Sequence, residues 1–201
     1  MTHPAAKDKG KIFIISAPSG CGKTTLCKKL LDDKLKLAHS ISATTRPARK
    51  SEKKGVDYFF VSPAEFVAMI DRKEFLEYEE NFGHLYGTPK KKVEALLGKG
   101  KNVLLSIDVK GAMNVRKLYP EESVLIFIMP PTIDVLKKRL ESRSADTAHA
   151  ILNRLNIAKK EIAYKNRYDY IVVNDRLDAA YKKLKDIITS EGEQHAGTRN
   201  R

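Results

Sequence analysis

The sequence predicts an α/β fold: a parallel sheet core flanked by helices on both faces, with a β-rich lobe inserted into it. Three observations point there. The apolar runs at 12–15, 103–105, 124–128 and 170–173 are continuous rather than alternating, which marks strands covered on both faces. Segments of helical periodicity separate them, as in a chain of βαβ units. A glycine-rich loop joins the first strand to the first helix.

Taken in order, Ile12-Phe13-Ile14-Ile15 is the first strand, and the amphipathic run from Thr25 to Leu31 is the helix after the loop. His39 to Thr45 reads as a strand that breaks at Arg46-Pro47, because the residue before a proline is pushed out of the helical region. Asp57 to Ser62 reads as a short strand and Pro63 to Arg72 as a helix with proline in its first turn. Phe75 to Glu80 and His84 to Gly87 complete a β-rich region, so residues 41–88 form an inserted lobe. The core resumes with a helix at 90–97, a strand from Val103 to Asp108 that ends in a carboxylate, a helix at 111–118 and a strand at 124–128 stopped by Pro130-Pro131. A helical stretch from Ile133 to Lys165, interrupted near 144–147, precedes the strand Tyr170-Ile171-Val172-Val173 and a last helix from Leu177 to Ile188. The segments 1–9 and 190–201 are polar or small and read as disordered tails.

The loop itself reads Ser16-Ala17-Pro18-Ser19-Gly20-Cys21-Gly22-Lys23-Thr24-Thr25. Gly20 and Gly22 permit the positive φ that turns backbone N–H groups toward an anion. Lys23 adds a cation for the β and γ phosphates, and Thr24 a hydroxyl for Mg²⁺. The helix N-terminus behind them favours negative charge. This is the P-loop arrangement G-x-x-x-x-G-K-[ST], with alanine where the pattern has its first glycine. Some nucleotide is therefore expected here.

A chain of 201 residues suits one core with inserted lobes. Its two cysteines, Cys21 and Cys27, lack the spacing of a disulfide framework or a zinc site and fit a reducing cytoplasm. Cys27 is expected to pack inertly with Leu30 and Leu31, whereas Cys21, in the loop, is left open as a reactive thiol. No apolar stretch has the length of a membrane span, and the first ten residues lack the apolar core of a secretory signal. The net charge of +13 favours anionic partners, nucleotides and nucleic acids alike, but no aromatic-basic RNA-binding motif accompanies it, so nucleic acid is not the expected partner. Oligomeric state stays open, a homo-oligomer included.

A second anion-binding cluster lies in the inserted lobe: Ser42-Ala43-Thr44-Thr45-Arg46-Pro47-Ala48-Arg49, then Gly55-Val56-Asp57-Tyr58. Arg46 and Arg49 can form forked, charge-assisted bonds to a phosphate, and a tyrosine hydroxyl can donate another. Two phosphate sites on one chain suggest transfer between them. Together with Phe75-Leu76-Glu77-Tyr78, Tyr86-Gly87-Thr88, Ile107-Asp108-Val109-Lys110-Gly111, Lys138-Arg139-Leu140-Glu141-Ser142-Arg143 and Val173-Asn174-Asp175, these motifs make the chain from about Lys11 to Ile188 resemble guanylate kinases.

That resemblance implies reversible phosphoryl transfer from MgATP to GMP, and to dGMP, in purine nucleotide metabolism by a cytoplasmic enzyme. It implies a P-loop core at 10–40, 89–131 and 167–189, a GMP-binding lobe at 41–88 and a helical lid at 132–166. ATP would lie on Ala17, Pro18, Ser19, Gly20, Cys21, Gly22, Lys23, Thr24 and Thr25, with Arg139 beside it and Mg²⁺ on Thr24 through the nucleotide. Ser42, Glu77, Thr88 and Asp108 would meet the guanine, and Arg46, Arg49, Tyr58 and Tyr86 the GMP phosphate. Lys23, Arg143 and Arg154 would act on the transferring group. Glu77 has a chemical reason to choose guanine, whose N1–H and exocyclic amine are paired donors that adenine lacks; Ser42 and Thr88 can donate to O6. Ser106 stands where the family often has an acid and is given no catalytic role.

Overall fold

The structure, a computed structural model, describes residues 10–33, 35–81, 83–142 and 147–194. Two sheets organise it. The larger has five strands, all parallel, in the order β2-β7-β1-β8-β9. Here β1 is Ile12–Ser16, β2 Leu37–His39, β7 Asn102–Ser106, β8 Ser123–Met129 and β9 Tyr170–Val173. All five residues of β1 are buried, since it lies at the centre with Ile14 beside both Leu105 and Leu125.

Alternate residues of these strands feed two separate cores, as the period of two requires. Phe13, Ile15, Leu104, Ile126 and Ile128 face helices α1 (Lys23–Asp32), α5 (Ile133–Glu141), α6 (Ala148–Ile162) and α7 (Leu177–Gln194), meeting Leu26, Leu30, Leu136, Leu140, Leu155 and Leu184. Ile12, Ile14, Val103, Leu105, Leu125 and Phe127 face α3 (Lys90–Leu97) and α4 (Val109–Leu118), meeting Val93, Leu97, Ala112 and Val115. Covering both faces explains why the strand sequences are continuously apolar.

The smaller sheet has the order β4-β3-β6-β5, with β3 at Ala43–Thr44, β4 at Phe59–Phe60, β5 at Phe75–Asn81 and β6 at His84–Pro89. Helix α2 (Pro63–Asp71) inserts Phe66 beneath it, stacked on Phe75 at 4.4 Å between ring centroids.

Three sequence expectations change. The single strand expected from His39 to Thr45 is two strands in different sheets. β2 ends where the Ser40 N–H donates to the Leu104 carbonyl, and by Ser42 the backbone has a new partner, its carbonyl accepting from the Phe59 N–H. The last helix also runs to Gln194, five residues into the segment expected as a tail. The remainder of that segment and residues 1–9 lie outside the described residues. The carboxylate expected at the end of a strand belongs to a helix start: β7 stops at Ser106, and Asp108 caps α4, its Oδ1 accepting from the Gly111 N–H at 2.8 Å.

Among the described residues no helix is long and apolar enough to cross a membrane.

Candidate active site

The phosphate loop spans the gap between β1 and α1. Gly20 and Gly22 have φ of 90° and 84°, the left-handed region that only glycine enters at no steric cost. Gly22 is doubly constrained, because a Cβ there would stand 2.6 Å from the Asn174 amide nitrogen. That amide, buried in the loop after β9, donates to the Cys21 carbonyl at 2.8 Å and ties the loop to the far edge of the sheet. Ala17 has no positive φ, since Lys73 alone among the described non-glycine residues does. Alanine therefore serves at the position where the P-loop pattern begins with glycine. Cys21 is wholly buried in the hydrophobic core, which answers the open question about its thiol: it is shielded within the protein. Cys27 is buried as expected, and burial pushes its thiol up from the ordinary value.

Lys23 reaches across to β7 and donates to the Ile107 carbonyl at 3.0 Å. One of its three donors is thereby used, and the other two remain for an anion. The loop opens on a cavity of about 550 Å³ whose far wall is the smaller sheet. On the loop side it is lined by Ala17, Pro18, Ser19, Gly20, Gly22 and Lys23, followed by Thr24 and Thr25. Ser42, Arg49, Tyr58, Glu77 and Tyr86 line the lobe side, Asp108 the floor, and Arg154 of α6 reaches in from the helical side.

Four expected residues sit elsewhere. Cys21 points into the core rather than the cavity. Arg46 is drawn back by Glu52, both of whose oxygens accept from its Nη2 at 2.9 Å, and it lies over the Tyr58 ring at 5.6 Å. Burial opposes ionisation of Glu52, and the Arg49 N–H and the Arg46 guanidinium outweigh it, holding its carboxyl below the ordinary range. Arg139 donates to the carbonyls of Asn174 and Asp175 at 3.0 and 3.3 Å, pinning the loop that holds Gly22. Thr88 is buried behind Glu77 and gives its hydroxyl proton to Glu77 Oε1 at 2.5 Å. A hydroxyl has one proton to donate, so Thr88 here orients the carboxylate instead of facing a ligand. Arg143 lies outside the described residues.

Glu77 is 8% exposed, and burial raises its carboxyl to about 7; the Thr88 hydrogen bond opposes that rise, and Asp108 and Glu79 add to it. Its Oε2 stands 2.5 Å from where a Cβ on residue 111 would be, so any larger residue there would make the carboxylate shift away from α4. Glu161, near the end of α6, is also raised to about 7 by burial, with Lys23 opposing and Asp108 assisting.

The wall also contains Glu79, Asn81 and Ser106, which sequence reasoning did not assign. For the first two a signal existed: Glu77, Glu79 and Asn81 alternate along β5, so all three must share a face. Glu161 carried no comparable signal, because its placement depends on where α6 ends.

The model describing guanylate kinases matches residues 9–191. The chain belongs to the guanylate kinase family. Members similar to it include the guanylate kinases of Hahella chejuensis, 48% identical over 91% of this chain and 88% of that protein, and of Halalkalibacterium halodurans, 43% identical over 92% and 90%. The crystal structure of guanylate kinase from Anaplasma phagocytophilum superposes with a TM-score of 0.78 at 35% identity, covering 92% of this chain and 88% of that one. The chain is thus a P-loop kinase enzyme whose two sheets face each other across one cleft.

Proposed function

We propose that the cavity aligns MgATP on the phosphate loop with GMP against the smaller sheet, so that a GMP phosphate oxygen attacks the γ-phosphoryl group in line. ATP-dependent phosphorylation of GMP is the family's reaction and this chain's activity. The observation that carries the residue assignment is the pairing within one cavity of a glycine–lysine anion cradle and a buried carboxylate aimed from the opposite sheet.

At neutral pH a phosphate monoester is largely dianionic, with a second pKa of about 6, so no dedicated base is needed. The protein's part is positioning and charge neutralisation. Lys23 and the N–H groups of residues 19–24 hold the donor phosphates. Arg49, Tyr58 and Tyr86 hold the acceptor phosphate, and Arg46, braced by Glu52, keeps the Tyr58 ring in place. Glu77, oriented by Thr88, accepts from N1–H and the exocyclic amine of guanine, Ser42 donates to O6, and Asp108 supplies a further acceptor. Arg154, with Arg143, covers the transferring group from the helical segment 132–166, which serves as the lid and excludes water.

The donor chemistry suits Mg²⁺. Thr24 is exposed at the cavity wall, and no group of three or more His, Cys, Asp or Glu suited to a metal occurs among the described residues. A cation that binds chiefly through substrate phosphates and water, with Thr24 as its protein contact, fits that set. Bound there, it would supply charge neutralisation to the donor phosphates. The scheme assigns no residue to the 2′-hydroxyl, and dGMP is proposed as a second acceptor, within purine nucleotide metabolism. The two reduced thiols favour the cytoplasm.

ADP formation in a coupled assay with GMP, dGMP and AMP tests the reading. Turnover with both guanine nucleotides and little with AMP is expected, and Lys23→Ala should lower kcat by about 10²–10³-fold with the circular dichroism spectrum unchanged. Equal turnover with AMP, or wild-type turnover by Lys23→Ala, would overturn it.

A further inference from the structure

Strand β5 packs its polar face along α4. The burial pattern of residues 75–81 alternates after Glu77, with Tyr78 and Glu80 exposed and Glu77, Glu79 and Asn81 turned inward. Glu77 lies against Gly111, and Glu79 Oε2 is 3.9 Å from Lys110 Nζ. At the end of the strand, where Asn81 pairs with His84 in the β5–β6 hairpin, Asn81 Nδ2 donates to Asp108 Oδ2 at 2.5 Å.

This hydrogen bond joins the smaller sheet to the core at the one residue of the cavity floor that both elements share. Asp108 Oδ1 is already bound to the Gly111 N–H at 2.8 Å. With the second oxygen bound to Asn81, rotation of the carboxylate about its last torsion is arrested. A carboxylate offers about four acceptor lone pairs. Those not used by Gly111 and Asn81 are left in a fixed direction over the cavity that Asn81 and Asp108 line. An amide suits this task because it donates to the carboxylate without adding a charge of its own. Aspartate at 81 would place two carboxylates face to face, and an aliphatic residue would leave Asp108 held at one oxygen only.

We infer that Asn81 is a positioning residue that sets the orientation of the Asp108 carboxylate and, through it, the affinity of the cavity for the guanine nucleotide. The inference rests on the reading of this cavity as the GMP site. Asn81 acts through Asp108 and need not touch the base, so its loss weakens binding of the ground state and the transition state alike and raises KM without lowering kcat.

The test is calorimetric titration with GMP at pH 8, together with steady-state kinetics, on the full chain. Asn81→Ala should raise the GMP Kd and KM about tenfold, the scale of one charge-assisted hydrogen bond, with kcat and the KM for ATP within about twofold of wild type. Asn81→Asp, nearly the same shape, should lose more. In an Asp108→Ala background, Asn81→Ala should change the GMP Kd by less than about twofold, because the group it positions is gone. A purely structural Asn81 would cost the same in both backgrounds, and that result, or a GMP Kd for Asn81→Ala within twofold of wild type, would overturn the assignment. Wild-type protein that phosphorylates another nucleotide but fails to bind GMP would overturn the reading of the cavity and this inference with it.

Discussion

Glu77 combines burial with a demand for charge. Its carboxyl, raised to about 7 from an ordinary 4.5 by burial, is partly protonated near neutrality, whereas guanine's two donors require the carboxylate. Binding of guanine therefore expels a proton below about pH 7, and affinity rises as pH rises through 7 and then levels. Guanosine separates this from ionisation of the nucleotide's phosphate: its heat of binding at pH 6.5 should vary with the ionisation enthalpy of the buffer, and Glu77→Gln should remove that dependence. The stability of the ligand-free protein moves the other way. The folded state holds the Glu77 proton more tightly than the unfolded chain, so this contribution to stability is present below 4.5 and is lost as pH rises through 7. Such behaviour was invisible in the sequence, where Glu77 was legible as a carboxylate suited to guanine but not as a buried one. Its Oε2 lies 2.5 Å from where a Cβ on Gly111 would stand, thirty-four positions away, a neighbour that no local signal links to it.

At the scale of elements, most helices and strands were legible because their signals are local. Pro63 in the first turn marks the start of α2, and Ser62, expected as the end of a strand, caps that helix instead, its Oγ accepting from the Glu65 N–H at 3.1 Å. Ser62→Ala should lower the stability of the protein by about 1 kcal/mol in urea denaturation, whereas Ser62→Gly should cost only a few tenths. What was not legible is decided between elements. The split of 39–45 into two strands follows from which neighbours accept the backbone hydrogen bonds, Leu104 on one side and Phe59 on the other. Likewise, Arg46 was read as a ligand contact because guanidiniums suit phosphates, and Arg139 because of the resemblance, but each has a partner within the protein, Glu52 and the carbonyls after β9. Sequence reveals that a cation is present, not whether a neighbour already holds it.

The whole molecule is two sheets facing across a cleft, and several of the contacts that span it are polar, although Leu76 of β5 also enters the apolar core against α3 and α4. Lys28 of α1 pairs with Asp57 of the smaller sheet's loop at 3.1 Å, Lys110 faces Glu79, and Asn81 bonds Asp108. The five-stranded sheet, by contrast, is closed by apolar packing on both faces. Exposed ion pairs contribute little stability and are screened by salt, so the Lys28–Asp57 and Lys110–Glu79 links hold the seam less firmly than apolar packing holds either interior. A kinase that must admit and release two nucleotides has its weak plane where the substrates enter.

The burial of both sulfur atoms gives the protein a reporter that needs no engineering. Cys21 is 0% and Cys27 5% exposed, and these are the chain's two cysteines. Neither thiol can meet a reagent in solution until the phosphate loop or α1 detaches from the sheet. In the native state a thiol-reactive dye should therefore label the protein only at the rate of that opening. Addition of ATP should slow labelling, because ligand bound to the closed loop lowers the open population by mass action. Labelling as fast as that of the denatured chain would show that the loop does not enclose its cysteine. The phosphate cradle thus carries its own clock: the thiol at its centre records how often the loop comes apart.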